Sequence, residues 1–179
     1  IKLFYKSIIV FIFKVYFGKI QIDKRNIIKI FSKKINIQNF IYKIYNIKDC
    51  RIYTNTNDIA VIKNNFILPG PSVQIRNSSN GSVRKNVVFK EGTPKIYKKI
   101  NKRVFSLLTG TDSNNNYYHW FFDCLPKIYF FKKNYNFKTT DFFLVPNYLH
   151  SYQKESLRIL GIKNILNAYH LKHFQIKEL

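Results

Sequence analysis

The residues best equipped for chemistry lie together in "NNNYYHWFFDCLPKIYFF", positions 114–131, which holds the single Trp, one of the four His and one of the two Cys of the chain. His119 and Asp123 are four apart, so on a helix starting near Tyr117 they are neighbours on one face. An imidazole beside a carboxylate can be held in one tautomer and made more basic. Such a pair could take the proton of a hydroxyl as its oxygen attacks an electrophilic carbon. The same spacing also serves a plain hydrogen bond on a helix surface, and spacing alone does not choose. Asn115 and Asn116 sit one turn earlier, where they can cap the helix start. Tyr117, Trp120, Phe121, Cys124, Leu125 and Ile128 form a broad apolar stripe for a sheet to bury. Pro126 has no N–H, so the carbonyl of Phe122 loses its helix partner and the helix should bend there, or end and restart.

Other chemistry is hard to find. There is no Gly-rich dinucleotide turn, no phosphate-binding loop, no Asp-x-Asp pair and no Ser or Cys nucleophile elbow. His150, His170 and His173 lack zinc spacing and read as polar surface or loop residues. Cys50 and Cys124 make neither a disulfide framework nor a metal cluster, and Cys124 reads as a small core residue.

The elements that must position His119 and Asp123 follow from the flanking pattern. "RVFSLLTG" (103–110) predicts a buried strand broken by Gly110, and the polar "TDSNNN" loop leads into the helix, which runs to about Lys133. "DFFLVPN" (141–147) predicts a second strand. "HSYQKESLRILGI" predicts a helix capped by Ser151 and stopped by Gly161, "KNILNA" a third strand, and "YHLKHFQIKEL" a further extended element. This β-α-β-α-β order predicts an α/β fold with a Rossmann-like parallel sheet. In such sheets ligands bind at the carboxyl ends of the strands, where the helix with His119 begins. Upstream, "RIYTN", "IAVIKN", "FILPG" and "SVQIRN" read as a small β-rich entry, "NSSNGS" as a turn and "VRKNVVF" as another strand. Residues 1–48 mix Ile, Phe and Lys at roughly helical spacing and predict one or two amphipathic helices.

The 179 residues, 46% hydrophobic and 17% aromatic, suit one folded domain with an appendage rather than a disordered chain. A net charge of +22 invites a nucleic-acid partner. Lys, Asn, Ile, Phe and Tyr are inflated together, however, Lys far outnumbers Arg, and the basic residues are spread along the whole chain. That pattern fits A/T-rich codons, and no nucleic-acid partner is expected. The opening "IKLFYKSIIVFIFKVYF" contains a Lys-free run, "SIIVFIF", too short to span a bilayer. A core-facing segment is the preferred reading, with an interfacial helix as the alternative. No Met occurs, even at position 1, so an internal or processed piece of a longer chain is expected.

Taken together, "NNYYHWFFDCLPKIYFF" resembles the Asn-Tyr-Tyr-His-Trp, Asp or Glu, Leu-Pro-Arg segment of the family 61 glycosyltransferases, which include capsular polysaccharide biosynthesis proteins. "DFFLVPNYLHSYQKESLRILGI" is similar to that family's following strand and helix. The resemblance covers roughly residues 51–179. It implies a two-lobed enzyme of Rossmann-like halves, preceded here by a small β-rich segment and N-terminal helices. Residues 1–50 would be an unassigned helical region. Residues 51–179 would be the N-terminal, acceptor-side part, with the donor lobe absent.

The implied activity is transfer of a sugar from a nucleotide-sugar donor to a hydroxyl of an acceptor glycan, with inversion. No tightly bound cofactor and no metal are implied, and the isolated piece would be inactive. Asn116, His119, Trp120, Asp123 and Pro126 match the motif, while Lys127 stands where Arg is common. The resemblance implies His119 or Asp123 as general base. Asn116, Tyr118 and Trp120 would be substrate-binding, although core is the preferred reading for Trp120, and Arg103 or Lys127 would offset donor phosphate charge. The expected location is the cytoplasm, at the inner face of the membrane if residues 1–17 make a peripheral contact. The rival reading is a non-catalytic basic module that binds a polyanion or a membrane surface.

Overall fold

The computed structural model describes residues 2–23, 31–37, 40–55, 57–76, 79–110, 116–146, 148–169 and 172–179. From the N-terminus, α1 (Lys2–Phe17) leads to β1 (Gln21–Ile22), β2 (Phe31–Ile37), β3 (Phe40–Asn46), β4 (Lys48–Thr54), β5 (Asp58–Lys63), β6 (Phe66–Ile67), β7 (Val73–Arg76), β8 (Ser79–Asn80) and the short α2 (Val87–Glu91). Then come β9 (Lys98–Ser106), α3 (Tyr117–His119), a π turn (Trp120–Cys124), α4 (Leu125–Asn134), β10 (Phe142–Val145), α5 (Ser151–Ile159), β11 (Ile165–Asn167) and β12 (His173–Glu178).

The result is a mixed α/β fold on a large mixed sheet. Its main path runs β1-β6-β5-β4-β12-β9-β10-β11, with β7 and β8 branching from β5. β9, β10 and β11 are parallel neighbours, as their helical connections require, and β12 lies parallel on the other side of β9. β4, β5 and β6 form the antiparallel β-rich entry expected from their turn-punctuated runs.

Alternation along the strands assigns side chains to the two faces. Phe143, Val145 and Leu107 lie in one cluster with Trp120, Cys124 and Ile128 of the first crossover helix and Leu157 of α5. Leu144, Val104, Ile52, Phe174 and Ile176 belong to a second cluster, and Ile20, Ala60, Ile62, Ile67 and Val88 to a third. Both crossover helices therefore cover the same face of the parallel strands.

Several expectations are corrected. Residues 31–37 and 40–46 form an antiparallel hairpin rather than a second amphipathic helix. Ile35, Ile37, Tyr42 and Ile44 recur at every second position, and β-branched and aromatic residues favour a pleated surface. "VRKNVVF" is a 3₁₀ turn followed by α2 instead of a strand: Asn86 Oδ1 accepts from Val88 N, and Asp58 Oδ2 from Val87 N. Two acceptors at consecutive amides set a helix start. The cap of α5 is His150, one residue before Ser151, because Gln153 Oε1 accepts from the amides of Leu149 and His150 at 3.0 and 3.1 Å. His170 and most of the "TDSNNN" loop lie outside the described residues.

His173 is buried, not a surface residue. It sits on the sheet face under α1, where Phe17, Tyr53 and Tyr97 pack around its ring. Its Nδ1–H donates to Pro94 O at 2.8 Å, which leaves Nε2 as acceptor toward Arg51 Nη1 at 3.4 Å. Burial, then the Arg51 charge, pushes its pKa down to about 4. Arg51 donates to Thr93 Oγ1 at 2.8 Å and Asn65 Oδ1 at 2.9 Å and lies 4.2 Å from the centre of the Phe17 ring. Burial lowers the guanidinium pKa to about 10. Neutral dipoles and an aromatic face thus hold this cation and seat the end of α1.

Candidate active site

Asn116 opens the site. Its Oδ1 accepts from the amides of Tyr118 at 2.9 Å and His119 at 3.4 Å, so the side chain expected to touch substrate acts as the helix cap. Pro126 has the effect its missing N–H demands. The helical segments run on without a gap; ahead of Pro126 the helix widens into the π turn, and the Leu125 amide reaches back five residues to Trp120 O. Across an α turn, a residue four along overshoots by about 40°. A wider turn brings His119 and Asp123 more nearly into line, and Nδ1 and Oδ2 stand 2.6 Å apart. The pair is partly open to solvent, His119 at 33% and Asp123 at 42% side-chain exposure.

One turn further, Lys127 continues the row. Its Nζ donates to Leu108 O, just past the end of β9. Burial lowers the ammonium pKa, an effect that Cys124 and Asp123 partly offset. Lys127 also lines a largely apolar, partly open cavity of about 300 Å³ between β3, β4, β5, β9 and α4. Tyr42 stacks on Phe130 at its margin, and Gly70 faces the Tyr45 ring.

On the solvent side, Tyr118 stacks on Phe122 with ring centres 4.6 Å apart and meets His119 edge-on at 5.7 Å. Both rings are more than half exposed, 61% for Tyr118 and 64% for Phe122. Phe122 is absent from the sequence-derived site. Its signal was the i, i+4 relation to Tyr118.

Two expected site residues are elsewhere. Trp120 is fully buried and cannot stack on a ligand. Arg103 pairs with Glu178 at 3.1 Å and lines a recess with Phe131 and Tyr135. Phe131 lies roughly 18 Å down the helix axis from His119, so Arg103 serves the opposite end of this helix.

The arrangement can orient an imidazole, accept a proton from a bound hydroxyl and present an aromatic face beside it. Among the described residues, no three His, Cys, Asp or Glu side chains gather as a metal site. No protein-family model, curated protein or solved structure matches this chain.

Proposed function

We propose that the chain is the acceptor-side portion of a sugar transferase of the family 61 type, acting in surface or capsular polysaccharide synthesis. The observation that carries this reading is the oriented His119–Asp123 pair at the start of the helix that follows β9. Support for a Rossmann-like lobe comes from the strand order β11-β10-β9-β12, all parallel, in which the chain reverses direction across the sheet after β11. Such a reversal leaves a crevice at the carboxyl ends of the strands on either side of it.

In the proposed reaction Asp123 accepts from His119 Nδ1–H and fixes the tautomer, leaving Nε2 to take a proton. The acceptor hydroxyl gives its proton to Nε2 as its oxygen bonds to the anomeric carbon. The bond from that carbon to the donor phosphate breaks, and the nucleoside diphosphate leaves with the electron pair. The Tyr118–Phe122 pair offers a face for the acceptor ring. Lys127, at the cavity wall, is the cation placed closest along the helix to meet phosphate charge.

The test is nucleotide release from a panel of nucleotide sugars with surface-polysaccharide acceptors, using the whole protein. His119→Ala and Asp123→Asn should each lower the rate by about 10²–10⁴-fold. Wild-type rates in both variants would remove the pair from the chemistry.

A further inference from the structure

The geometry points to α1 as a docking element for an anionic lipid surface, an inference independent of the transferase reading. Among the described side chains of α1, Val10, Phe13 and Phe17 are the half-buried apolar ones, and they lie on one stripe toward the protein. Phe17 packs on the Arg51–His173 cluster, and Lys6 pairs with Glu91 at 3.0 Å.

The opposite face is apolar and open. Phe4, Tyr5, Ile8, Ile9, Phe11, Ile12, Val15 and Tyr16 are all exposed, Phe4, Phe11 and Val15 at about 70%. At 100° per residue these eight positions fill one continuous arc of about 160°. No Lys, Asp or Glu falls within that arc; the Lys residues of α1 lie outside it. Four of the eight side chains are aromatic, the residue class that settles at a lipid–water boundary.

Charge decides what covers this face. Lys95 lies over the Tyr16 ring at 5.1 Å, and Lys14, Lys19 and Lys90 are exposed around the helix. The neighbouring acid, Glu91, is already paired with Lys6. A second copy would bring two chains of +22 together edge to edge, with cations facing cations. A bilayer with anionic headgroups accepts the apolar face at the acyl boundary and the cationic rim at the phosphates. Sixteen residues lie flat in such a layer; among the described residues no helix is long and apolar enough to cross a membrane.

The test is co-sedimentation of the whole chain with vesicles of phosphatidylcholine, and of phosphatidylcholine mixed with phosphatidylglycerol. The chain should pellet with the mixed vesicles and bind the neutral ones at least about tenfold more weakly. Phe11→Glu with Val15→Glu should weaken binding to the mixed vesicles at least about tenfold. The uncharged pair Ile8→Gln with Ile12→Gln should weaken it in the same direction. Emission from the buried Trp120 should be unchanged in both, because the altered side chains face away from the protein. A wild-type chain left in the supernatant would overturn the inference. So would variants that bind as well as wild type, since charge alone would then suffice.

Discussion

The indole Nε1 of Trp120 donates to Ser156 Oγ at 2.9 Å, and the same hydroxyl donates to Gln153 O at 3.2 Å. This chain of two bonds ties the helix carrying His119 to α5 through a fully buried side chain. Trp120→Ala should cost about 3–5 kcal/mol, because it opens a cavity beneath both helices. Trp120→Phe keeps a ring but loses the donor, and should cost about 1–3 kcal/mol. Chemical denaturation of the two variants measures both; a cost below about 1 kcal/mol for the alanine variant would contradict the packing described.

The His119–Asp123 pair should behave oppositely. Both side chains are partly solvated, so solvent screens their attraction. His119→Ala and Asp123→Asn should each change unfolding free energy by less than about 1 kcal/mol. Paired with the rate loss expected of a proton-transfer site, that small change separates a chemical role from a structural one.

His173 should make stability depend on acid. Its folded pKa is depressed to about 4 from an ordinary 6.5, so the unfolded chain binds the proton first. The contribution is neutral above pH 6.5, and stability falls as pH drops from there toward 4. The full loss is about 3 kcal/mol. His173→Gln should flatten this part of the curve of thermal midpoint against pH. An unchanged curve would assign the acid sensitivity to other groups.

Gly110 follows the end of β9 with φ +73°. A Cβ there would stand 2.8 Å from Val73 Cγ1 and 3.3 Å from Asn57 O. Gly110→Ala should therefore destabilise by about 1–3 kcal/mol, from backbone strain and crowding together. Equilibrium denaturation checks it.

Local pattern carries much of the architecture. The runs around Phe105, Phe143 and Leu166 are short, apolar and bounded by Gly, Pro and Asn, so the parallel strands and their crossover helices are legible in the sequence. The His119–Asp123 adjacency is legible for the same reason: four residues on a helix is a local distance. The hairpin at 31–46 is not, because Ile-Lys-Ile patterns fit a helical and an alternating period alike; the pairing partner decides between them. In sequence Trp120 already reads preferentially as core while still matching the motif, and Arg103 looks available as a ligand contact. Only packing against α5 and pairing with Glu178 remove them from the site.

The described residues between 103 and 167 thus carry their own secondary structure, their helix cap at Asn116 and the His119–Asp123 contact, because each depends on neighbours within a few positions. Tertiary structure alone decided the rest. It set Lys127 against Leu108 O and a cavity, and buried His173 beside Arg51, 122 positions away in sequence. It also decided which side of α1 meets the protein. A helical wheel shows an apolar arc but not what covers it, and burial depends on chain segments brought together only by folding.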